Sequence, residues 1–273
     1  MNYRHAFHAG NFADLVKHAG LTLLLEAMTR GPEPLTLIDT HAGAGAYDLA
    51  GEMALKSGEA AIDRLLADDD APEAFDILKA AVVRANPGGG VRIYPGSPAL
   101  ICAALREDDR LVACELRPDD HAALVDLLAP LEAQAQARLA DGFVTVEAEA
   151  PATGKLLVLI DPPFERGDDY QRVVAATGKV LVRNAGAVVA IWTPLKDLET
   201  FDRFLRGLEG IDPPSTLVAE VRLRPLADPM KMNGCALVVV NAEPGLDVEM
   251  QAICGWIAGQ LGETGGEARI WRL

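Results

Sequence analysis

The chain has 273 residues, of which 50% are hydrophobic, enough to bury the core of a large α/β domain. No apolar run approaches the roughly 20 residues of a membrane span, and the N-terminus lacks the apolar stretch of a secretory signal, so we expect a cytoplasmic protein. The net charge of −15 argues against a protein that holds nucleic acid mainly through its phosphates. A small substrate, or few and local phosphate contacts, would agree with that charge.

The cysteines and histidines predict neither a disulfide framework nor a metal site. The four cysteines are scattered without a C-x-x-C pair, so reduced and partly buried thiols are expected. Three of the five histidines precede residue 19 but lack a matching ligand pair elsewhere. We expect a monomer that binds no metal.

The N-terminal segment combines basic side chains with a predicted helix. Asn11 has the side chain of a helix N-cap, and Leu21, Leu24 and Leu25 continue at helical spacing. Basic side chains at this helix indicate a pocket for an anionic or nucleotide ligand, with a solvated helix end as the open alternative. These side chains are Arg4, His5, His8, Lys17 and His18.

Residues 35–40 (LTLIDT) predict a buried strand that ends with Asp39 and is followed by a glycine loop. Gly43 and Gly45 permit a tight turn and close approach of a ligand beside His41. Position 48 is Asp where a G-x-G-x-x-G loop needs its third glycine, which weakens a dinucleotide-binding interpretation. Residues 49–92 are Ala-rich, acidic and helical in pattern. They predict a helical subdomain inserted into a domain formed by 1–48 and 93–273.

An alternation of strands and helices follows from residue 93. Ser97 is a candidate N-cap, with Pro98 as the first helical residue. Strands are predicted at 110–116, 156–160, 186–193, 216–223, 235–241 and 268–273, and helices at 119–131, 170–183, 196–207 and 246–261. The short connection between 216–223 and 235–241 predicts an antiparallel hairpin. We therefore expect an α/β fold with a mostly parallel seven-stranded sheet and a terminal antiparallel hairpin.

Four acids fall at predicted strand ends or in adjacent turns: Asp39, Glu115, Asp141 and Asp161. Because the carboxyl ends of parallel strands meet at one edge of a sheet, the first three are expected to line one side of a crevice with the glycine loop. An acid that accepts two ribose hydroxyls, and another beside an adenine amine, would suit an adenosine-bearing cofactor. The cationic sulfonium of S-adenosylmethionine would also be favourable among carboxylates.

The strongest single signal is the stretch 156–165, LLVLIDPPFE. Its apolar run suits a parallel strand covered on both faces, with ligand chemistry just beyond its carboxyl end. There Pro162 and Pro163 stiffen the turn after Asp161 and remove two N–H donors, and Phe164 adds a flat ring. Such a turn predicts a pocket for the exocyclic amine of a planar base. A second copy, IDPPS at 211–215, lacks the apolar run and the aromatic residue, and we interpret it as a turn between a helix and a strand.

The predicted chemistry follows from the properties of that amine. The lone pair of adenine N6 is delocalised into the ring, so the amine is a poor nucleophile. Acceptors on its two N–H bonds would favour the nitrogen geometry that attacks an electrophilic methyl group. The ring of Phe164 is expected to stack on an extruded base, worth roughly 1–3 kcal/mol. A strand-terminating Asp with a Pro-Pro stop and a core Phe is the alternative without function.

The chain resembles the RlmJ-type 23S ribosomal RNA adenine-N6 methyltransferases over essentially its whole length. Seven matching segments occur in order: YRH to HAGN at 3–11, KH at 17–18, DTHAGAG at 39–45, YPGSP at 94–98, EL at 115–116, DGF at 141–143 and DPPF at 161–164. This ordered set is more specific than Asp-Pro-Pro alone, which many amino-methyltransferases share.

The resemblance implies a class I, Rossmann-like fold with a small helical insertion and S-adenosyl-L-methionine as the cofactor. It implies catalytic roles for Asp161, Pro162 and Phe164. Contacts with the RNA are implied for Tyr3, Arg4, His5 and Phe164. The residues implied to bind the cofactor or lie at its edge are Lys17, His18, His41, Gly43, Ser97, Glu115, Asp141, Gly142 and Asp161. One departure is Phe164, where the family commonly has Tyr; stacking survives this change, but a hydroxyl contact does not.

The leading hypothesis is therefore methyl transfer to adenine N6 in a stem-loop of 23S rRNA, with a small basic patch made by Arg4, Lys17, Arg166, Arg224 and Lys231. DNA adenine methylation keeps the same chemistry and stays open. Methylation of protein glutamine would favour Asn in place of Asp161, and a nicotinamide-dependent oxidoreductase is opposed by the incomplete glycine pattern. A nucleotide-binding protein linked to the use of external DNA is the non-enzymatic alternative.

Overall fold

The computed structural model describes residues 9–49, 61–131, 133–226 and 232–273. The helices are α1 Phe12–Met28, α2 Ala61–Ala67, α3 Asp76–Ala85, α4 Ser97–Ala104, α5 Pro118–Leu128, α6 Gly142–Glu149, α7 Asp169–Arg183, α8 Leu198–Glu209 and α9 Leu246–Leu261. The strands are β1 Leu35–Asp39, β2 Ala46–Asp48, β3 Ile93–Pro95, β4 Arg110–Glu115, β5 Ala135–Leu139, β6 Lys155–Ile160, β7 Val188–Leu195, β8 Thr216–Arg222, β9 Gly234–Val240 and β10 Glu267–Arg272. Within these ranges no helix combines the length and apolarity needed to cross a membrane.

Eight strands form one sheet in the order β10-β8-β9-β7-β6-β1-β4-β5. The five strands from β7 to β5 in that order run parallel to one another. Strand β9 is antiparallel to both β7 and β8, and β10 is antiparallel to β8. The predicted hairpin of β8 and β9 is therefore confirmed, and so is the turn interpretation of the IDPPS copy, which lies between α8 and β8.

The sheet has eight strands rather than the predicted seven, because the hydrophobic pattern of the sequence did not predict β5. Its sequence, AQARL, contains no apolar run, and within the described ranges this strand lies at the edge of the sheet and pairs with β4 alone. Only Ala135 of this strand is fully buried. An edge strand buries less apolar surface than a central one, so hydrophobicity alone does not reveal it.

Helices cover both faces of the sheet and divide the core into two clusters. Helices α1, α4 and α9 pack on one face, where Leu15, Leu237 and Met250 belong to a single apolar cluster. Helices α7 and α8 pack on the other face, where Val173 and Phe204 belong to a second apolar cluster that includes residues of β6 and β7. The fold is therefore a three-layer α/β/α arrangement of the doubly wound type.

The order of the strands reverses at β1. The chain passes from β1 to β4 and β5 on one side, and then crosses to β6 and β7 on the other. Ligands of open α/β sheets bind at the carboxyl ends of the strands at such a reversal. The segment after β6, which begins with Asp161, and the glycine loop after β1 both start at this point.

Helices α2 and α3 lie between the antiparallel strands β2 and β3. Ile62, Phe75 and Leu78 from this region belong to the same apolar cluster as helix α1. The Trp256 indole on α9 also donates a hydrogen bond of 2.7 Å to the Asp68 carboxylate. The division into an inserted unit of 49–92 and a surrounding domain stays a prediction, and 50–60 lie outside the described ranges.

Candidate active site

Asp161 to Phe164 form the turn that leaves the central strand β6. Strands β1 and β7 flank β6, so this turn stands in the middle of the parallel sheet. Phe164 has a φ of 49°, in the left-handed region that side chains rarely adopt. The side chain of Asp161 is 9% exposed and lines two separate clefts. The carboxylate that the sequence singled out therefore lies at the junction of two concavities.

The first concavity, here called the glycine cleft, opens beside the loop that follows β1. Its enclosed volume is only about 60 Å³, so most of a nucleoside-sized ligand would lie along its open side. The described residues that line it are Thr40, His41, Gly43, Cys114, Glu115, Leu116, Arg117, Asp120, Gly142, Asp161 and Pro163. It thus contains five of the predicted site residues: His41, Gly43, Glu115, Gly142 and Asp161.

Glu115 is held at the end of β4 by two backbone amides. Its Oε2 accepts a hydrogen bond of 3.0 Å from the Gly43 N–H, and its Oε1 accepts one of 2.7 Å from the Arg117 N–H. Each carboxylate oxygen has a further lone pair. The glycine loop therefore orients a fixed anionic acceptor in the cleft.

Two glycines allow the walls of this cleft to approach closely. A Cβ on Gly142 would lie 1.9 Å from the carbonyl oxygen of Thr40, so α6 begins directly against the end of β1. Gly43 has a φ of +61°, and a Cβ there would lie 2.2 Å from the hydroxyl of Tyr47. Gly142 therefore requires glycine because of its surroundings, and Gly43 requires it because of its left-handed backbone as well.

His41 is neutral and its tautomer follows from its partner. Burial lowers the pKa of His41 to about 4, against the weaker opposing charges of nearby acids. The Thr40 hydroxyl donates to the Leu159 carbonyl at 3.0 Å, so its 2.7 Å bond with His41 is donated by Nδ1. The other ring nitrogen, Nε2, is then an acceptor. The His41 ring also packs edge-on against Phe143 at 5.0 Å.

Asp141 caps a helix and binds an arginine. Its Oδ1 accepts hydrogen bonds from the N–H groups of Phe143 and Val144 at the start of α6. Its Oδ2 lies 2.6 Å from the Arg172 guanidinium, which also stacks over the Phe143 ring at 4.4 Å. Partial burial raises the pKa of Asp141, but the hydrogen bond and charge of Arg172 outweigh that effect and hold it below its ordinary value. Asp141 supports the cleft wall and is absent from the lining.

Two expectations about Asp39 and Ser97 are wrong. Asp39 is completely buried and does not line the crevice, since its oxygens accept hydrogen bonds from the Ser97 hydroxyl at 2.7 Å and the His41 N–H at 3.2 Å. Burial raises the pKa of Asp39 to about 6. Ser97 is the first residue of α4 and Gly96 is the N-cap, and in the described chain the Ser97 hydroxyl donates to Asp39 and caps no helix N–H. Contact of Ser97 with a cofactor stays a prediction.

The second concavity, here called the α1 cleft, lies on the other side of Asp161 and has a volume of about 460 Å³. The described residues that line it are Asn11, Ala13, Asp14, Lys17, Asp161, Pro162, Pro163, Phe164, Glu165, Trp192, Pro194, Lys196 and Met232. Predicted residues Lys17, Pro162 and Phe164 are among them. A volume of this size accommodates a nucleobase and its sugar.

Lys17 connects helix α1 to the turn after β6. Its ammonium lies 2.6 Å from Oδ2 of Asp161 and 3.0 Å from Oδ1 of Asp14. Asp14 in turn accepts a hydrogen bond of 3.0 Å from the Gly10 N–H. The Asn11 side chain caps the start of α1, as predicted, by accepting from the N–H groups of Ala13 and Asp14. The capped helix α1 therefore places the buried ammonium of Lys17 against Asp161.

Phe164 belongs to an aromatic cluster at the edge of the α1 cleft. Its ring lies 4.6 Å from that of Tyr170 and 6.2 Å from that of Trp192. The residue is 7% exposed, so part of its ring reaches the cleft and the rest is core. The structural interpretation of Phe164 therefore describes most of this ring, and its stacking on a base stays a prediction.

Several predicted residues stand apart from these clefts. His18 is completely buried, with Nδ1 hydrogen-bonded at 2.8 Å to the Tyr94 hydroxyl, and its role at the cofactor stays a prediction. The predicted RNA contacts Tyr3, Arg4 and His5 lie outside the described residues. Of the predicted basic patch, Lys17, Arg166 and Arg224 pair with acidic side chains, and Arg4 and Lys231 lie outside the described residues.

Sequence reasoning missed several members of the α1 cleft. Trp192 and Lys196 come from the end of β7 and just beyond it, and Asp14 comes from the first turn of α1. The rule that ligands bind beyond carboxyl ends of parallel strands also applies to β7 and would have indicated Trp192 and Lys196. Asp14 follows Asn11 by three residues, which indicates the start of a helix but not a place in the site.

Comparisons with known proteins identify the family of the chain. The family model described as "Ribosomal RNA large subunit methyltransferase D, RlmJ" matches residues 32–273. "Ribosomal RNA large subunit methyltransferase J" of Escherichia coli (strain K12) is 34% identical over 274 residues, covering 99% of this chain and 98% of the relative. The Haemophilus influenzae protein of the same name is 34% identical over 265 residues, covering 96% and 94%. The crystal structure of protein LPL1258 from Legionella pneumophila has a TM-score of 0.87 and 28% identity, covering 97% of this chain and 98% of that chain.

The protein has a class I, Rossmann-like methyltransferase fold. This class is defined by the doubly wound sheet with its terminal antiparallel strands, together with the acceptor-rich turn beside the glycine cleft. The match over residues 32–273 and the 34% identity over nearly the full length are specific to one group within that class. The chain belongs to the RlmJ family of large-subunit ribosomal RNA methyltransferases.

Proposed function

We propose that this protein transfers a methyl group from S-adenosyl-L-methionine to N6 of an adenine in a stem-loop of 23S ribosomal RNA. The observation that carries the proposal is the position of Asp161, whose side chain lines both the glycine cleft and the α1 cleft. A transfer reaction needs donor and acceptor on either side of a common point. The family and the names of its relatives support ribosomal RNA as the substrate.

The residues of the glycine cleft fit the cofactor. Glu115 offers a fixed carboxylate of the kind that accepts ribose hydroxyls, and Gly142, which lines the cleft, lets the start of α6 pack directly against Thr40. Neutral His41 adds no positive charge beside a sulfonium. When bound, the cofactor supplies an electrophilic methyl group. We assign its binding to His41, Gly43, Glu115, Gly142 and Asp161, with Asp141, Ser97 and His18 behind the walls.

Asp161 would act on the target amine by accepting a hydrogen bond. Its Oδ2 is occupied by Lys17, while its Oδ1 has no hydrogen bond to the described part of the chain. An N–H of the adenine amine that donates to Oδ1 would gain electron density on nitrogen as the methyl group approaches. Such a preplaced acceptor stabilises the positive charge that develops on N6 in the transition state.

Lys17 would hold Asp161 in place. Two carboxylates, Asp14 and Asp161, share this one buried ammonium. The pair fixes the Asp161 rotamer toward the junction of the clefts, which satisfies the tight geometric demand of methyl transfer. Lys17 is therefore a positioning residue, and its predicted role in cofactor binding becomes a role on the substrate side.

Phe164 and Trp192 would hold the base. Both line the α1 cleft, and Phe164 follows the proline turn directly. The exposed part of the Phe164 ring offers a stacking surface, and the left-handed backbone at this residue fixes where that surface lies. The target base must be extruded from its stem-loop to reach a site of this depth.

Transfer of a tritiated methyl group tests the substrate. Protein-free 23S rRNA, assembled large subunits and adenine-containing DNA are compared as acceptors, and transfer to the protein-free RNA is expected to be fastest. Faster transfer to DNA would replace RNA by DNA in the proposal. A ribosomal RNA substrate also implies the cytoplasm as the site of action, and we propose that a monomer performs the reaction.

A further inference from the structure

A third concavity adjoins the α1 cleft and takes no part in the mechanism described above. It lies between helices α7 and α8, has a volume of about 520 Å³, and is here called the α7–α8 groove. Phe164 and Glu165 line both the α1 cleft and this groove. The turn that holds the target base is therefore also one wall of a second cavity of similar size.

Aromatic rings continue from the turn into the groove. The Tyr170 ring lies 4.6 Å from Phe164 on one side and 5.5 Å from Phe204 on the other. Tyr170 is half-buried and lines the groove together with Phe204. A base that enters the groove would meet a flat apolar surface that is continuous with the one beside the target site.

The charge of the groove suits a phosphate better than the charge of the α1 cleft does. The α1 cleft is lined by three carboxylates against two lysines, whereas the groove is lined by Arg166 and Arg203 against Glu165 alone. The two arginine side chains are 57% and 67% exposed, in ion pairs with Asp168 and Glu199. Exposed ion pairs of this kind contribute little to stability. A phosphate can therefore replace the carboxylates of Asp168 and Glu199 as the partner of the two guanidinium groups.

We propose that the α7–α8 groove binds the nucleotide next to the target adenine in the RNA strand, with its base against Tyr170 and its phosphate on Arg203. This inference rests on the proposed function, because it requires the target base to occupy the α1 cleft. It also explains how a protein with a net charge of −15 holds RNA: the phosphate contacts are few and lie where the strand leaves the active site.

A matched pair of charge reversals on one helix tests the groove. Arg203 lines it, whereas Arg206, which is also exposed and lies one turn further along α8, does not line it. Binding of a fluorescein-labelled 23S rRNA transcript is measured by anisotropy across a range of salt concentrations. Arg203→Glu is expected to raise Kd about tenfold and to lower the slope of log Kd against log salt by about 1. Arg206→Glu is expected to change Kd less than about twofold.

Measurements of kinetics and of cofactor binding distinguish an effect on RNA binding in the groove from an effect on the active site. In Arg203→Glu the KM for RNA rises with Kd, while kcat and the thermal shift produced by S-adenosylhomocysteine stay at wild-type values. Equal losses of RNA affinity in both variants, or no loss in Arg203→Glu, would overturn the groove assignment. A failure of the proposed function would give a different result from a failure of the groove assignment. Wild-type protein would then bind the transcript, and Arg203→Glu would weaken that binding, but no RNA would be methylated.

Discussion

The ammonium of Lys17 lies 2.6 Å from Oδ2 of Asp161, although 144 residues separate the two in the chain. This contact ties the first helix to the turn after the central strand. Both side chains are nearly buried, so the pair is not a surface ion pair of small consequence. It engages one carboxylate oxygen of Asp161, and in the proposed function the other oxygen accepts a hydrogen bond from the substrate.

Replacing Lys17 by Met is therefore expected to affect chemistry before cofactor binding. Two carboxylates would face each other without a cation, Asp161 would lose its rotamer, and kcat is expected to fall about 100-fold. The dissociation constant of S-adenosylhomocysteine, measured by calorimetry, should change little. Lys196→Met is the matched control, because Lys196 is exposed and lines the same cleft. Wild-type kcat in Lys17→Met would show that the pair does not position Asp161.

Replacing Gly142 by Ala is expected to destabilise the fold. Helix propensity favours Ala by about 1 kcal/mol at an ordinary helical position, but here the added Cβ would lie 1.9 Å from the Thr40 carbonyl oxygen. A loss of about 2 kcal/mol or more in the free energy of unfolding is expected from urea denaturation. Gly167→Ala serves as the control, since a Cβ at Gly167 would meet nothing within 4 Å. Equal stability of the two variants would contradict the close approach of α6 to β1.

The stability contributed by Asp39 is expected to decrease as pH rises. Its pKa is about 6 in the folded protein and about 3.9 in an unfolded chain, so the folded state binds more protons between these values. The free energy of unfolding falls through that window. Asp39→Asn removes this dependence, so its stability relative to wild type should improve by on the order of 2 kcal/mol between pH 4 and pH 7. A difference that stays constant over this range would show that Asp39 titrates normally.

Replacing Phe164 by Leu separates its two roles. Loss of the ring removes the stacking surface, so the KM for RNA is expected to rise roughly tenfold. The same change leaves space between Tyr170 and Trp192 and is expected to cost about 1–2 kcal/mol in urea denaturation. An unchanged KM together with the lower stability would assign Phe164 to the core alone.

The sequence was most informative where local pattern and topology agree. The apolar run of β6 predicted a central strand, and the general position of ligand sites in α/β sheets then predicted the place of Asp161. The N-cap at Asn11 and the hairpin of β8 and β9 also followed from local rules. In each case the structure follows from residues that are close together in the chain.

These local rules do not predict contacts between side chains that are far apart in the chain. Nothing in the local sequence joins Lys17 to Asp161, because that contact depends on how α1 packs against the sheet. Asp39 illustrates a second limit. An acid at the end of a strand looks the same in sequence whether it faces ligand or is buried, and here the hydroxyl of Ser97 makes burial acceptable.

The most direct test concerns Asp161. Wild-type protein and Asp161→Ala are incubated with S-adenosyl-L-methionine and protein-free 23S rRNA, and N6-methyladenine is measured by mass spectrometry of the digested RNA. We expect wild-type protein to form N6-methyladenine, and Asp161→Ala to form none while it still binds S-adenosylhomocysteine. Full methylation by Asp161→Ala, or methylation at a position other than N6, would contradict the assigned role.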